Sequence, residues 1–550
     1  MIFDTNSDFG KNIIIFKNKS VNFFNEQKSN QKKFTSILEK WHKSLFKNNF
    51  LKKTILFSKS SRFTLLNSDE FYNNYLLYVC GKNRENISGI TNITINFLNL
   101  FKIHFSSDYI IQIFYFIKKI FRYLNQIIKC LLTINISFIK IVILKIRNNN
   151  DIFHNKSYIY KNLYLPEFVE KKNFSQTGDH FFGNLINQEK NLFYYLIYNS
   201  EDFLKIKNLK KKNLCSFINF IEIKHLFLIY FLSIYVFIKY FLCSIIFGSK
   251  INFESYKDKY LAKDFLCKNF FSSNIFFQET NYFVIKKIIT TMSFNRILFP
   301  FERKGYEQYT MHLCRKYKIR AKTVAFVHQL ANDGHRYLYF RNNNHVYQPD
   351  LIGSTGQAQK DLLIKKFRWE NEKIIVLGSP RKMNVKINIK KNKTKNILFI
   401  TSYYHELESA CKILYDLKKI HNFNIYVRTY PYAEINEQSN ILKKYDLYSR
   451  ENNIKALSFH EQINWSDFVF FSSSSASIEA MQMNKPVIRI KNRFYFDINP
   501  FDFENDILSE VENTDQSIKI LHDFKSEKFL INYLNKQKEY SLNFYEEINL

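Results

Sequence analysis

The chain has 550 residues, which at roughly 150 residues per domain makes it two to four domains and excludes a peptide or a single small module. Hydrophobic residues at 46% and aromatics at 18%, with 58 Phe and 36 Tyr, exclude a disordered chain, and only 11 Gly and 7 Pro exclude collagen-like and proline-rich linker proteins. Lys and Arg outnumber Asp and Glu by 81 to 49, a formal charge of +32, so nucleic acid, anionic lipid and phosphorylated substrates all qualify as partners unless the charge is simply spread by a lysine-rich coding bias.

The N-terminus, MIFDTNSDFGKN, has no basic segment followed by an apolar run and does not read as a secretory signal. Seven scattered cysteines, at 80, 130, 215, 243, 267, 314 and 411, with no CxxC, read as reduced thiols in a cytoplasmic setting. Residues 1–177 form a lysine-rich, largely helical region of unknown role, including the basic apolar stretch at 109–146. From 178 the texture changes, and a strand is expected at Phe193–Tyr198.

The run at 226–248 exceeds the roughly 20 apolar residues that span a bilayer. It is the best spanning candidate in the chain, yet a single span would divide the strands of one domain across the membrane. Both its flanks are basic, so no orientation is set. Peripheral attachment at the inner face of the plasma membrane, to anionic headgroups and with help from 109–146, is expected, with a buried core helix as the alternative.

Short apolar runs then alternate with helical spacing. RILFP (296–300), TVAFVH (323–328) and KIIVLG (373–378) read as strands, and EQYTMHLCRKY and GQAQKDLLIKKF as the helices between them. After the lysine-rich linker KINIKKNKTKN (386–396) the alternation restarts with NILFIT (396–401), FNIYVR (423–428), SDFVFFS (466–472) and PVIRI (486–490). Strands alternating with helices imply parallel sheets. The expected fold class is α/β, with two Rossmann-like domains facing a cleft, at 178–385 and 396–510, and a helical tail at 511–550.

No glycine lies beyond Gly378, so a phosphate site in the C-terminal third must use serines and helix termini. FVFFSSSSASIEAMQMNKPVIRI (468–490) reads as a strand running through four serines into a helix. Ser473, Ser474 and Ser475, with free N–H groups at the helix start, would bind an anion, and Glu479 would accept from ribose hydroxyls. An ordinary serine N-cap would look the same. Arg381, after the turn Gly378-Ser379-Pro380, suits bidentate phosphate binding or is a surface arginine. His328 ends a strand, where ligands gather in open α/β sheets, or is a structural histidine. Glu302 and Glu307 follow the strand ending at Pro300; either is a general base or a helix-start carboxylate.

The pattern S-S-S-A-S-I-E-A followed by N-K-P-V-I resembles the nucleotide-sugar site of GT-B glycosyltransferases. FERKGYE (301–307) resembles the E-x-x-x-W-E signature of bacterial surface carbohydrate (O-antigen and capsule) biosynthesis proteins, with Tyr306 in place of Trp. FVHQ (326–329) and LGSPRK (377–382) resemble two further elements of those proteins in the same order. Related transferases carry a His-Pro pair where this chain has Tyr430-Pro431, which keeps a hydrogen-bond donor but not a positive charge.

The resemblance implies a glycosyltransferase moving a sugar from a nucleotide-activated donor to a surface polysaccharide or lipid-linked acceptor. Donor-binding residues would be Ser379, Arg381, Thr401, Tyr430, Ser473, Ser474, Ser475 and Glu479, and catalytic residues Glu302, Glu307 and His328. No Asp-x-Asp stands at a strand end, so leaving-group stabilisation is expected without a metal or cofactor. A CDP-alditol-type phosphotransferase and a non-catalytic basic protein binding membrane or nucleic acid are the alternatives. For the second, the sequence lacks an RRM-like aromatic signature, a zinc site and a concentrated basic helix, so no nucleic acid is expected as partner.

Overall fold

A computed structural model describes residues 13–16, 19–22, 109–147, 160–166, 179, 181–198, 200–207, 213–246, 274–302, 304–331, 338, 347–383, 396–401, 404–429, 435–448, 457–491, 501 and 507–548. A short antiparallel hairpin, β1 (Ile13–Phe16) and β2 (Lys19–Asn22), comes first. The long helix α1 (Tyr109–Arg147) follows.

The N-terminal domain is a seven-stranded sheet. Its elements in chain order are β3 (Asn162–Tyr164), β4 (Asn191–Tyr194), α2 (Ser200–Lys207), β5 (Leu214–Cys215), α3 (Ile223–Ile246), α4 (Ile275–Thr291), β6 (Arg296–Pro300), α5 (Gly305–Lys316), β7 (Lys322–Phe326), β8 (Leu351–Ser354), α6 (Gln357–Lys365) and β9 (Ile374–Val376). The strand order is β5-β4-β3-β6-β7-β8-β9, and every pairing is parallel. Helices cover a parallel sheet on both faces, so its strands carry continuous apolar runs. Ile297, Leu298 and Phe299 of β6 are all fully buried, each contributing roughly 1.5–3 kcal/mol.

The domain begins earlier than the expected boundary at 178. β3 lies in the middle of the sheet, between β4 and β6, and Cys130, Ile134 and Ile141 of α1 belong to the same core. Three strand residues are too few to produce a visible period, which is why the sequence pattern passes over them. The strand expected at 193–198 begins and ends earlier, at Asn191–Tyr194. The apolar helix expected at 226–248 is α3 and starts three residues sooner.

The C-terminal domain has five parallel strands in the order β11-β10-β12-β13-β14. Its elements are β10 (Asn396–Ile400), α7 (Tyr404–His421), β11 (Asn424–Arg428), α8 (Ile435–Lys444), α9 (Phe459–Trp465), β12 (Phe468–Phe471), α10 (Ala476–Gln482), β13 (Val487–Ile490), β14 (Ser509–Val511), α11 (Thr514–Asp523) and α12 (Glu527–Phe544). The period of two along β10 divides its core: Ile397 and Phe399 pack on one face, Leu398 and Ile400 on the other.

The last helices are part of the fold rather than an appendage. Gln537 of α12 donates to the carbonyls of Val487 and Ile507, and beyond the helix Glu546 bridges back to the first domain, its carbonyl accepting from Ser379 N–H and its own N–H donating to the carbonyl of Thr355. Gly378, at φ 81°, lets this segment pass, because a Cβ there would overlap the carbonyl of Glu547.

Candidate active site at the two switch points

In open α/β sheets ligands gather beyond the carboxyl ends of the strands, where the strand order reverses. The first sheet reverses between β3 and β6, and the second between β10 and β12. Glu302 follows β6 and His328 follows the neighbouring β7; Thr401 follows β10 and the serine run follows β12. The sequence-derived candidates therefore fall at both switch points.

In the N-terminal half Glu302 is the hub. Its Oε2 lies 2.7 Å from Lys304 Nζ and its Oε1 3.4 Å from His328 Nε2, and all three side chains are nearly buried. The edge of the Phe181 ring stands perpendicular to His328 at 4.8 Å between centroids. Glu307 takes a different part. It sits in the first turn of α5 and turns back, Oε1 accepting from the N–H groups of Glu302 at 3.0 Å and Lys304 at 2.9 Å. Its side chain has no exposed surface, and burial pushes its carboxyl up to about 8 against the pull of those two amides. Glu307 thus shapes the loop that presents Glu302.

In the C-terminal half Arg381 is the hub. Its Nε donates to Glu479 Oε1, its Nη1 donates to Ser475 Oγ at 2.9 Å, and its guanidinium lies 5.2 Å from the centre of the Tyr545 ring. Burial works against its charge, but the Glu479 carboxylate outweighs this and holds the guanidinium above its ordinary value. About a quarter of the side chain, 28%, faces solvent, so the charge is fixed in place yet open to a ligand.

Glu479 is engaged differently from the expected ribose acceptor. Oε1 is committed to Arg381, and Oε2 lies 4.0 Å from His460 Nε2. The helix start also differs from expectation. Ala476 N–H donates to Ser474 Oγ, and the N–H groups of Ser477 and Ile478 donate to the carbonyls of Ser474 and Ser475. Three amides of the helix start, those of Ala476, Ser477 and Ile478, are thus used within the turn.

Ser379 caps its own turn, its Oγ accepting from Arg381 N–H at 3.1 Å. Thr401 is buried at the end of β10, its N–H donating to the Arg428 carbonyl. Ser473 belongs to the loop after β12, and Tyr430 lies outside the described residues.

Several residues of the site escape sequence reasoning. Lys304 stands inside the quoted FERKGYE motif and was open to discovery as a cation between two carboxylates. Arg428 ends β11, donates to Gln462 Oε1 at 2.7 Å and stacks on Phe459 at 4.6 Å. Burial lowers it from its ordinary value, opposed by Tyr426 and Glu479. Arg489 lies almost wholly buried behind the serine run, holding the Ser472 carbonyl at 3.1 Å and Glu510 at 2.5 Å. Tyr545, 164 positions beyond Arg381, carries no local signal at all.

The two halves meet through residues 181–183. Phe181 touches His328, and Gly183, at φ 54°, lies where a Cβ would come within 2.7 Å of Pro380 Cβ, one residue before Arg381. Asp179 builds this turn by accepting from Phe181 and Phe182 N–H groups at 2.8 Å and from the Tyr195 hydroxyl at 2.6 Å.

No protein-family model matches the chain. An uncharacterized protein of Methanocaldococcus jannaschii is 28% identical over 202 residues, 34% of this chain and 36% of that protein, so the chain spans about a third of that relative's length. Among solved structures, the UDP-GlcNAc 2-epimerase of Neisseria meningitidis bound to UDP-GlcNAc is similar at a TM-score of 0.39 and 11% identity, covering 69% of this chain and 97% of that one. A glycosyltransferase of Rickettsia africae is similar at 0.38 and 11%, covering 70% and 94%. TarM of S. aureus, in complex with UDP among other ligands, is similar at 0.34 and 13%, covering 48% and 56%. Likeness of this degree transfers neither a reaction nor a ligand to this chain.

Proposed function

We propose that the protein is a GT-B-type glycosyltransferase that moves a sugar from a nucleotide-activated donor to a surface polysaccharide or lipid-linked acceptor, without a metal or cofactor. The observation that carries this reading is the pairing of two unlike half-sites at the two switch points: Glu302 with Lys304 and His328, and Arg381 with Ser475 and Glu479. The resemblance of the serine-run motif to GT-B nucleotide-sugar sites, and of three further motifs to surface carbohydrate biosynthesis proteins, supports the same reading.

In this mechanism the Glu302 carboxylate takes the proton of the acceptor hydroxyl, with Lys304 and His328 fixing its orientation. The acceptor oxygen bonds to the anomeric carbon as the bond from that carbon to the phosphate oxygen breaks. The negative charge then rests on the departing nucleotide, where the Arg381 guanidinium, the Ser475 hydroxyl and Arg428 stabilise it. Glu479 holds Arg381 in the required direction rather than touching ribose.

Mass spectrometry of nucleotides retained by the purified protein, followed by an assay of nucleotide release with a panel of nucleotide sugars, tests the proposal. A nucleoside diphosphate or monophosphate released together with a glycosylated acceptor is expected. Transfer of an alditol phosphate, or no nucleotide bound or released from any donor, would overturn it.

A further inference from the structure

Helix α1 presents two apolar faces where a surface helix presents one. Cys130, Ile134, Ser137, Ile141 and Lys145, spaced by three or four residues, are buried against the N-terminal domain. Lys145 Nζ donates to the Ile218 carbonyl at 2.8 Å, and Asn274 Nδ2 donates to Ser137 Oγ at 3.0 Å, which fixes this face. The opposite stripe is Ile128, Leu132, Ile136, Ile139, Ile143 and Ile146, each between 43% and 60% exposed. α3 lies beside it and continues the patch with Phe227, Leu228, Phe231 and Tyr235 at 47–65%. The helices are locked to each other by Tyr230 donating to Asn135 Oδ1 at 2.7 Å and by Phe138 against the Tyr230 ring at 4.5 Å.

Residues 127–147 are long and apolar enough to cross a membrane, whereas only 223–238 of α3 counts as a shorter apolar helix. The buried stripe opposes a crossing. A helix held along its length to a folded domain cannot be surrounded by lipid, but it can lie in the bilayer surface with its outer stripe among the acyl chains. Charge selects the occupant. Neither helix carries an Asp or Glu, while Lys129, Lys140 and Arg147 of α1 are exposed. A second copy of the chain would set these cations against their own images, whereas anionic headgroups complement them.

We infer that the outer face of α1 and α3 is a monotopic docking surface for an anionic lipid bilayer. It stands independently of the proposed reaction, since none of its residues belongs to either half-site.

Flotation of the full-length protein with vesicles of equimolar phosphatidylglycerol and phosphatidylcholine, against vesicles of phosphatidylcholine alone, tests it. The wild type floats with the anionic vesicles and is released by salt. The double variant Ile139→Gln/Ile143→Gln, shown by thermal unfolding to be folded as the wild type, loses binding by about tenfold or more. A wild type that stays in the soluble fraction, or a folded variant that floats as well as the wild type, overturns the inference. So does a wild-type dimer in light scattering that the variant abolishes without any change in vesicle binding, which would assign the stripe to a second copy.

Discussion

The two half-sites are built around opposite charges. In the N-terminal half a carboxylate, Glu302, is the hub, and Lys304 and His328 are arranged around it. In the C-terminal half a guanidinium, Arg381, is the hub, and a carboxylate and a hydroxyl are arranged around it. The first arrangement suits moving a proton, because its central group accepts one. The second suits holding a charge, because a guanidinium stays protonated and Glu479 raises it further. If the division is real, substitutions in the two halves damage different quantities.

The largest effect is expected from Glu302→Gln, which keeps the shape of the side chain but removes the base. Turnover should fall by about 10²–10⁴, while nucleotide affinity measured by calorimetry stays that of the wild type. Unchanged turnover would remove the proton-transfer role from the N-terminal half.

The next is in stability. Glu307 carries a carboxyl raised from 4.5 to about 8 by burial. Between those values the folded protein holds a proton that the unfolded chain has released, so stability falls as pH rises through that window. Glu307→Gln still accepts from the two loop amides and has no proton to lose. Its denaturation midpoint should therefore be flatter than the wild type's from pH 5 to 8, and parallel profiles would show that Glu307 is not held protonated.

Arg381→Ala should weaken nucleotide binding by about tenfold or more, since a charge-assisted hydrogen bond contributes roughly 1.5–3 kcal/mol. Arg381→Lys should not restore it, because it lacks the planar fork by which the guanidinium reaches Glu479 and Ser475 from two different nitrogens. The smallest effect is expected from Ser475→Ala, which loses one neutral hydroxyl contact to Arg381 and costs about two- to tenfold in nucleotide affinity. Equal losses from Ser475→Ala and Arg381→Ala would mean that the hydroxyl, not the guanidinium, carries the binding.

The alternation of apolar runs was enough to find the strands that matter most. RILFP is β6 as expected, and the expected runs at 323–328, 396–401 and 466–472 match β7, β10 and β12 to within one or two residues at each end. Those runs end in proline, histidine, threonine or serine, which is why their ends could be read. β3 and β5, of three and two residues, have no period, and their places in the sheet come from long-range pairing alone.

The site divides in the same way. Glu302, His328, Arg381, Ser475 and Glu479 lie at strand or helix ends and were legible from position. Their partners were not, since Phe181 and Tyr545 reach the cleft from segments more than 140 positions away from His328 and Arg381 respectively. Position also could not distinguish Glu302 from Glu307. Both follow β6, and only the direction of the side chain separates the one facing Lys304 and His328 from the one turned onto backbone amides.

The division of labour is tested most directly by measuring nucleotide-sugar affinity and transfer rate together on the wild type, Arg381→Ala and Glu302→Gln. The account predicts a wild type that binds and transfers, an arginine variant that binds at least tenfold more weakly, and a glutamate variant that binds normally and transfers at least a hundredfold more slowly. A wild type that binds no nucleotide sugar, or an arginine variant that binds as tightly as the wild type, would contradict it.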